Sequence, residues 1–192
     1  ALFELVQNIW DTDSPSAVLS LETIEGRRGR ARLIAIDVHP EGFKNLSHAF
    51  TLFANSEKKI DPEKRGRYNL GEKLVLALCE EATIESASGT IRFDAEGRSQ
   101  SRKCRDAGTK FEAIIKMTKP QIEQACEAFF TAIPPKGCVT TLNGKLLEYQ
   151  EPEHTFIETL ATEIEGDEGQ LKPTRRKAAI NVHEPVNTES GW

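Results

Sequence analysis

Over residues 1–37 the apolar period changes from helical to alternating, and that change limits the fold more than any other feature of the chain. Leu2, Leu5, Val6 and Ile9 recur at the spacing of one helix face. Residues 18–24 and 31–37 then read as strands, joined by the basic turn Gly26-Arg27-Arg28-Gly29-Arg30. A helix with one apolar stripe and a pair of half-apolar strands bury those surfaces against each other. The pattern therefore predicts a helix layer on a sheet.

The rest of the chain continues the alternation of types. Residues 38–70 hold one short helical piece, at about 45–54, and a polar stretch; so long a segment inside a compact domain suggests a lid. Gly71 opens an apolar helix over 73–79, which places Cys79 on a helix face. Residues 83–86 and 89–93 read as a hairpin and 110–117 as a strand. Thr118, with Pro120 in the first turn, predicts a helix to about 131. Pro134-Pro135 marks a boundary between residues 1–135 and a β-rich extension, 136–192. There Asn143-Gly144 is a hairpin turn between 138–142 and 145–149. Strand-like pieces follow at 155–165 and 177–184, with charged links at 165–169 and 172–177. The expected class is α+β, a mixed sheet with helices on one face.

Composition narrows the function classes. The chain has 192 residues, 38% hydrophobic and 29% charged, ordinary values for a globular protein. A net charge of −5 argues against a chain-wide nucleic-acid footprint. No apolar run approaches the ~20 residues of a membrane helix, and no signal peptide is visible. The chain opens inside a helix pattern without Met and stops soon after a strand-like run, so it reads as a fragment. Cys79, Cys104, Cys126 and Cys138 form no C-x-x-C pair and read as reduced thiols of a cytoplasmic protein. His39, His48, His154 and His183 are scattered and predict no zinc site.

Four places carry chemistry. Glu4, Asn8 and Asp11 form one row along the first helix. Asn offers an oxygen to Mg²⁺ and Glu can take a proton from water, so the row suits a metal-bound phosphate as well as plain solvent. Asp37 ends an apolar strand, where a carboxylate is an acceptor. Gly66 and Gly71, among Arg65, Arg67 and Lys73, precede a helix N-terminus, which suits either a phosphate or an ordinary cap. Gly108-Thr109 precedes the strand at 110–117.

In this order, over about residues 1–117, the motifs resemble the ATP-binding domain of the GHKL superfamily. That group includes DNA gyrase B, type IIB topoisomerases, the ninety-kilodalton heat-shock chaperones, MutL proteins and histidine kinases. The resemblance implies a Bergerat-type two-layer sandwich with an ATP lid, and ATP and Mg²⁺ as ligands. Glu4-Leu5-Val6-Gln7-Asn8 is similar to the superfamily's N box, which makes Glu4 the general base and Asn8 the Mg²⁺ ligand, with Asp11 a further acidic position. A Glu here favours an ATPase over a kinase. Asp37 and Gly42 resemble the D-x-G-x-G box, whose Asp accepts from the adenine amino group. His39 and Glu41 stand where its glycines are expected, and Gly42 comes one residue late. Arg65, Gly66 and Gly71 resemble the glycine box that holds phosphates, and Thr109 a late Thr that supports the Asp. Ser56 and Lys58 resemble a Ser-x-Lys near the lid.

The resemblance further implies a homodimer that closes on ATP binding in the full-length protein. A lysine from a following domain completes the site in many relatives; Lys145, Lys172 and Lys177 are equal candidates. DNA enters as a partner by family association alone, with Arg27–Arg32 and Arg175–Lys177 as the basic clusters; a membrane does not. A chaperone-like clamp on protein clients, and a non-catalytic nucleotide-binding or scaffold module, stand as alternatives.

Overall fold

In a computed structural model, residues 1–12, 14–40, 71–165 and 170–184 are described. The elements in chain order are α1 (Leu2–Trp10), β1 (Ser16–Thr23), β2 (Arg30–Asp37), α2 (Gly71–Ala77), β3 (Cys79–Ser86), β4 (Gly89–Asp94), β5 (Gly97–Ser101), β6 (Thr109–Lys116), α3 (Lys119–Phe129), β7 (Val139–Leu142), β8 (Lys145–Leu147), β9 (His154–Glu165) and β10 (Leu171–Val182).

The class is α+β. Eight strands form one sheet in the order β5-β4-β3-β6-β2-β1-β7-β8. It is mixed, because β1 and β7 run parallel while β1–β2 and β2–β6 are antiparallel. The β1–β2 hairpin sets Ala17, Leu19 and Leu21 opposite Asp37, Ala35 and Leu33, so all six share one face. β6 lays Thr109, Phe111 and Ala113 beside Asp37, Ala35 and Leu33, and β3 continues the rows with Ser86, Ile84 and Ala82. On the other side Thr140 and Leu142 of β7 pair with Ala17 and Leu19.

Leu2, Leu5, Val6 and Ile9 of α1, Val75 of α2, and Ile122 and Phe129 of α3 bury against this one face in a single core. The small residues Ala17, Ala31 and Ala35 lie on β1 and β2, the strands α1 packs against. The opposite face is partly covered by ion pairs, such as Arg30 with Glu80 at 2.8 Å, which contribute little in solvent. Because β6 and β7 point the same way, the chain needs a crossover between them, and α3 supplies it. Its N-terminus is fixed by Thr118 N–H, which donates to Gln121 Oε1 at 2.9 Å.

The structure departs from expectation at the end of α2, at β5 and in β10. The helix opened by Gly71 ends at Ala77, and Cys79 begins β3, its thiol donating to Val75 O at 3.1 Å. β5 went unread because all its residues are exposed, so backbone pairing at the sheet edge forms it without an apolar face. Residues 172–177, expected as a charged link, lie inside β10. β9 and β10 form a separate two-stranded ribbon, which has no buried face to impose apolar residues. Pro134-Pro135 falls between α3 and β7, and β7 and β8 beyond it still belong to the eight-stranded sheet. Asn143 and Gly144 take φ of 51° and 75° in the β7–β8 turn. The Asn143 amide accepts from Leu21 N–H at 2.8 Å and donates to Leu21 O at 3.1 Å, stitching the turn to β1. All four cysteines are free thiols.

Candidate functional site

One row of the buried face differs from the rest. From β3 to β8 it runs Ser86, Thr109, Asp37, Ala17, Thr140 and Leu147. The adjacent row from β3 to β7 is Ile84, Phe111, Ala35, Leu19 and Leu142, all apolar, and ends at the exposed Lys145 of β8. Ser86, Asp37 and Thr140 are buried polar side chains, so the core turns polar at this end of the sheet.

Asp37 stands at its centre, 8% exposed. Burial pushes its carboxyl above the ordinary value of 3.8 because the charged form loses solvation. Hydrogen bonds from the His39 N–H and from the Thr109 hydroxyl and N–H oppose the shift, as does the nearby His39 side chain. The His39 N–H bond to Oδ1 measures 2.9 Å.

The backbone around Asp37 is held from two sides. Ser14, itself buried, accepts from the Val38 N–H at 3.2 Å and donates to Ser16 O at 2.9 Å. Gly108 N–H donates to His39 O at 3.1 Å. With φ of +71°, Gly108 packs so closely that a β-carbon there would lie 2.1 Å from Asp37 O. The expected pair Gly108-Thr109 and Asp37 are thus in direct contact.

α1 brings the second group. Its apolar stripe faces the sheet, which leaves Glu4 exposed and Asn8 and Asp11 half-buried on its other side. Asp11 closes the helix, its N–H reaching Gln7 O at 2.9 Å. Trp10 Nε1–H donates to Thr140 Oγ1 at 2.9 Å, tying the end of α1 to β7. Gly71 is the first residue of α2, which packs against α1. Gly42, Ser56, Lys58, Arg65 and Gly66 lie outside the described residues, as does the helical piece at 45–54.

Sequence reading missed Ser14, Ser86 and Thr140. Ser86 had a signal, since Ile84 points inward and period two puts Ser86 on the same face. Of the lysine candidates, Lys145 Nζ sits over the Phe130 ring at 4.5 Å, and Lys172 and Lys177 lie on β10. In the first basic cluster, Arg30 pairs with Glu80 and Arg32 with Glu112, at 2.8 and 3.6 Å, so acids already answer part of its charge.

Among the described residues no group of three or more His, Cys, Asp or Glu gathers as a metal cage. None of their helices is long and apolar enough to cross a membrane. No protein-family model matches the chain, and no curated protein matches it.

Proposed function

We propose that this chain is an ATP-binding domain of GHKL type, with a Bergerat-like arrangement of helices over one sheet face, and that it hydrolyses ATP. The observation that carries the reading is the buried Asp37, met by Thr109 and packed against Gly108 at the polar end of the core. A carboxylate at a strand end, already fixed on one side by protein donors, suits recognition of an exocyclic amino group.

Asn8 would hold Mg²⁺, with Asp11 a further acid on the same helix row. Both offer hard oxygen atoms and are half-exposed, which fits that ion. Mg²⁺ keeps several waters and takes only one or two protein oxygens beside phosphate, so no closed cage is needed. When bound, the ion neutralises phosphate charge. Glu4, exposed on the same helix row, accepts the proton of the attacking water as its oxygen bonds to the γ-phosphorus and the bond to the ADP oxygen breaks. The domain would act as a dimer-closure switch in a larger protein. DNA or a protein client as its target rests on the resemblance alone.

Isothermal titration of a non-hydrolysable ATP analogue with Mg²⁺ tests the reading. Micromolar to millimolar binding, lost in Asp37→Ala, is expected. Equal binding by both chains would overturn the adenine assignment, and absence of binding by the natural chain would favour a scaffold module. Glu4→Ala should keep binding and slow turnover by ~10²–10⁴-fold.

A further inference from the structure

The proposed phosphate chemistry needs α1 at one rotation about its axis, because Asn8 and Asp11 must face the same ligand. The grip of α1 on the sheet comes from Leu2, Leu5, Val6 and Ile9. The stripe sets which side of α1 meets the sheet, and apolar burial, being non-directional, leaves the finer angle to other contacts. Directional restraint comes from the flank. The Trp10 indole N–H donates to Thr140 Oγ1 at 2.9 Å, and Thr140 is fully buried, at 0% exposure. Thr140 is itself held by β7, whose register with β1 pairs it to Ala17, and its hydroxyl also lies 3.4 Å from Cys138 O. Ala17 pairs in turn with Asp37. Trp10 lies between Asn8 and Asp11 in sequence, so fixing the indole fixes the turn that carries both.

We propose that Thr140 is a positioning residue for the Mg²⁺–phosphate part of the ligand, acting through Trp10 on the last turn of α1. The inference rests on the ATP-binding reading. It assigns β7, beyond the Pro134-Pro135 boundary, a part in the site of the N-terminal helix. Adenine recognition at Asp37 does not pass through this bond, so the two halves of the ligand separate experimentally.

The test is titration of the full chain with a non-hydrolysable ATP analogue, once with Mg²⁺ and once with chelator. Thr140→Val keeps the shape and removes the acceptor; Trp10→Phe removes the donor from the half-buried side. Each should cut the Mg²⁺-dependent gain in affinity about three- to tenfold, the worth of one hydrogen bond, and leave the chelator value unchanged. Thr140→Ser should restore the gain, and the double variant should lose no more than either single one. Wild-type gain in both single variants, or a Ser variant no better than Val, would overturn the inference. If Thr140→Val does not fold, Trp10→Phe decides alone. A natural chain that binds no analogue in either condition would instead refute the ATP-binding reading itself.

Discussion

Gly108→Ala should be among the most damaging single-methyl additions in the described chain, and its cost separates into two parts. The first is conformational: alanine at φ of +71° sits in the left-handed region, which costs about 1–2 kcal/mol. The second is steric. The new carbon would stand 2.1 Å from Asp37 O, 2.9 Å from its carbonyl carbon and 3.0 Å from Val38 Cα. Ordinary contact begins near 3.4 Å, so β2 and the β6 entry must part by 1.3 Å, the difference 3.4 − 2.1. One side is the end of β2 and the other the bend that enters β6, both backbone, and forcing such a shift costs about 1–3 kcal/mol. The sum is about 2–5 kcal/mol. Gly144→Ala is the control. Its φ of +75° carries the same conformational cost, but nothing lies within 4 Å of its added carbon. Urea unfolding of both variants should therefore differ by about 1–3 kcal/mol, with Gly108→Ala the less stable. The shift lands on the peptide of Asp37, so analogue binding should weaken as well. Equal destabilisation of the two variants would refute the close approach on which the site depends.

The Asp37 carboxyl should titrate above 3.8, by carboxyl-carbon NMR, and higher still in Thr109→Val, which loses an opposing hydrogen bond. With a raised folded-state value, its contribution to stability is fully present below 3.8 and is lost as pH rises through that folded value, because the unfolded chain ionises first. A carboxyl titrating at or below 3.8 would contradict the burial argument. Asn143→Ala loses both bonds to Leu21 and keeps φ of 51°, for about 2–4 kcal/mol, while Asn143→Gly loses the bonds without the strain and should cost about 1–2 kcal/mol less. Identical unfolding midpoints for the two would remove the strain from the account.

The helix and strands around the site were legible because their burial has a period. α1, β1, β2 and β6 each carry an apolar set at every third or fourth, or every second, residue, and Thr118 and Asn143-Gly144 announce a cap and a turn. Where backbone pairing alone makes the element, as in β5, the side chains carry no period and the strand was missed; in β10 no residue is fully buried, and its charged first half was misread as a link. The site divides the same way. Asp37 and Thr109 could be singled out one at a time, but no local pattern says that residues 72 positions apart pair in register (109 − 37 = 72), since register is settled by the whole sheet. Thr140 was beyond reach for the same reason, being set against α1 by a parallel strand that arrives through a crossover helix.

Packing alone does not call for the polar row. The neighbouring row shows what the core takes when only burial matters: Ile84, Phe111, Ala35, Leu19 and Leu142. One row along, a carboxyl is buried at a cost in solvation that its hydrogen bonds only partly offset, as the upward direction of its titration indicates. Ser14 holds the backbone beyond it, Gly108 removes even a methyl to come close, and Thr109 donates to it. Three separate devices therefore fix this group and the backbone around it. Desolvation concentrated on one side chain is expected where that side chain meets a ligand. An amino donor brought to Asp37 would supply the hydrogen bond that burial took away. A ligand bound there would then make the domain more stable when occupied.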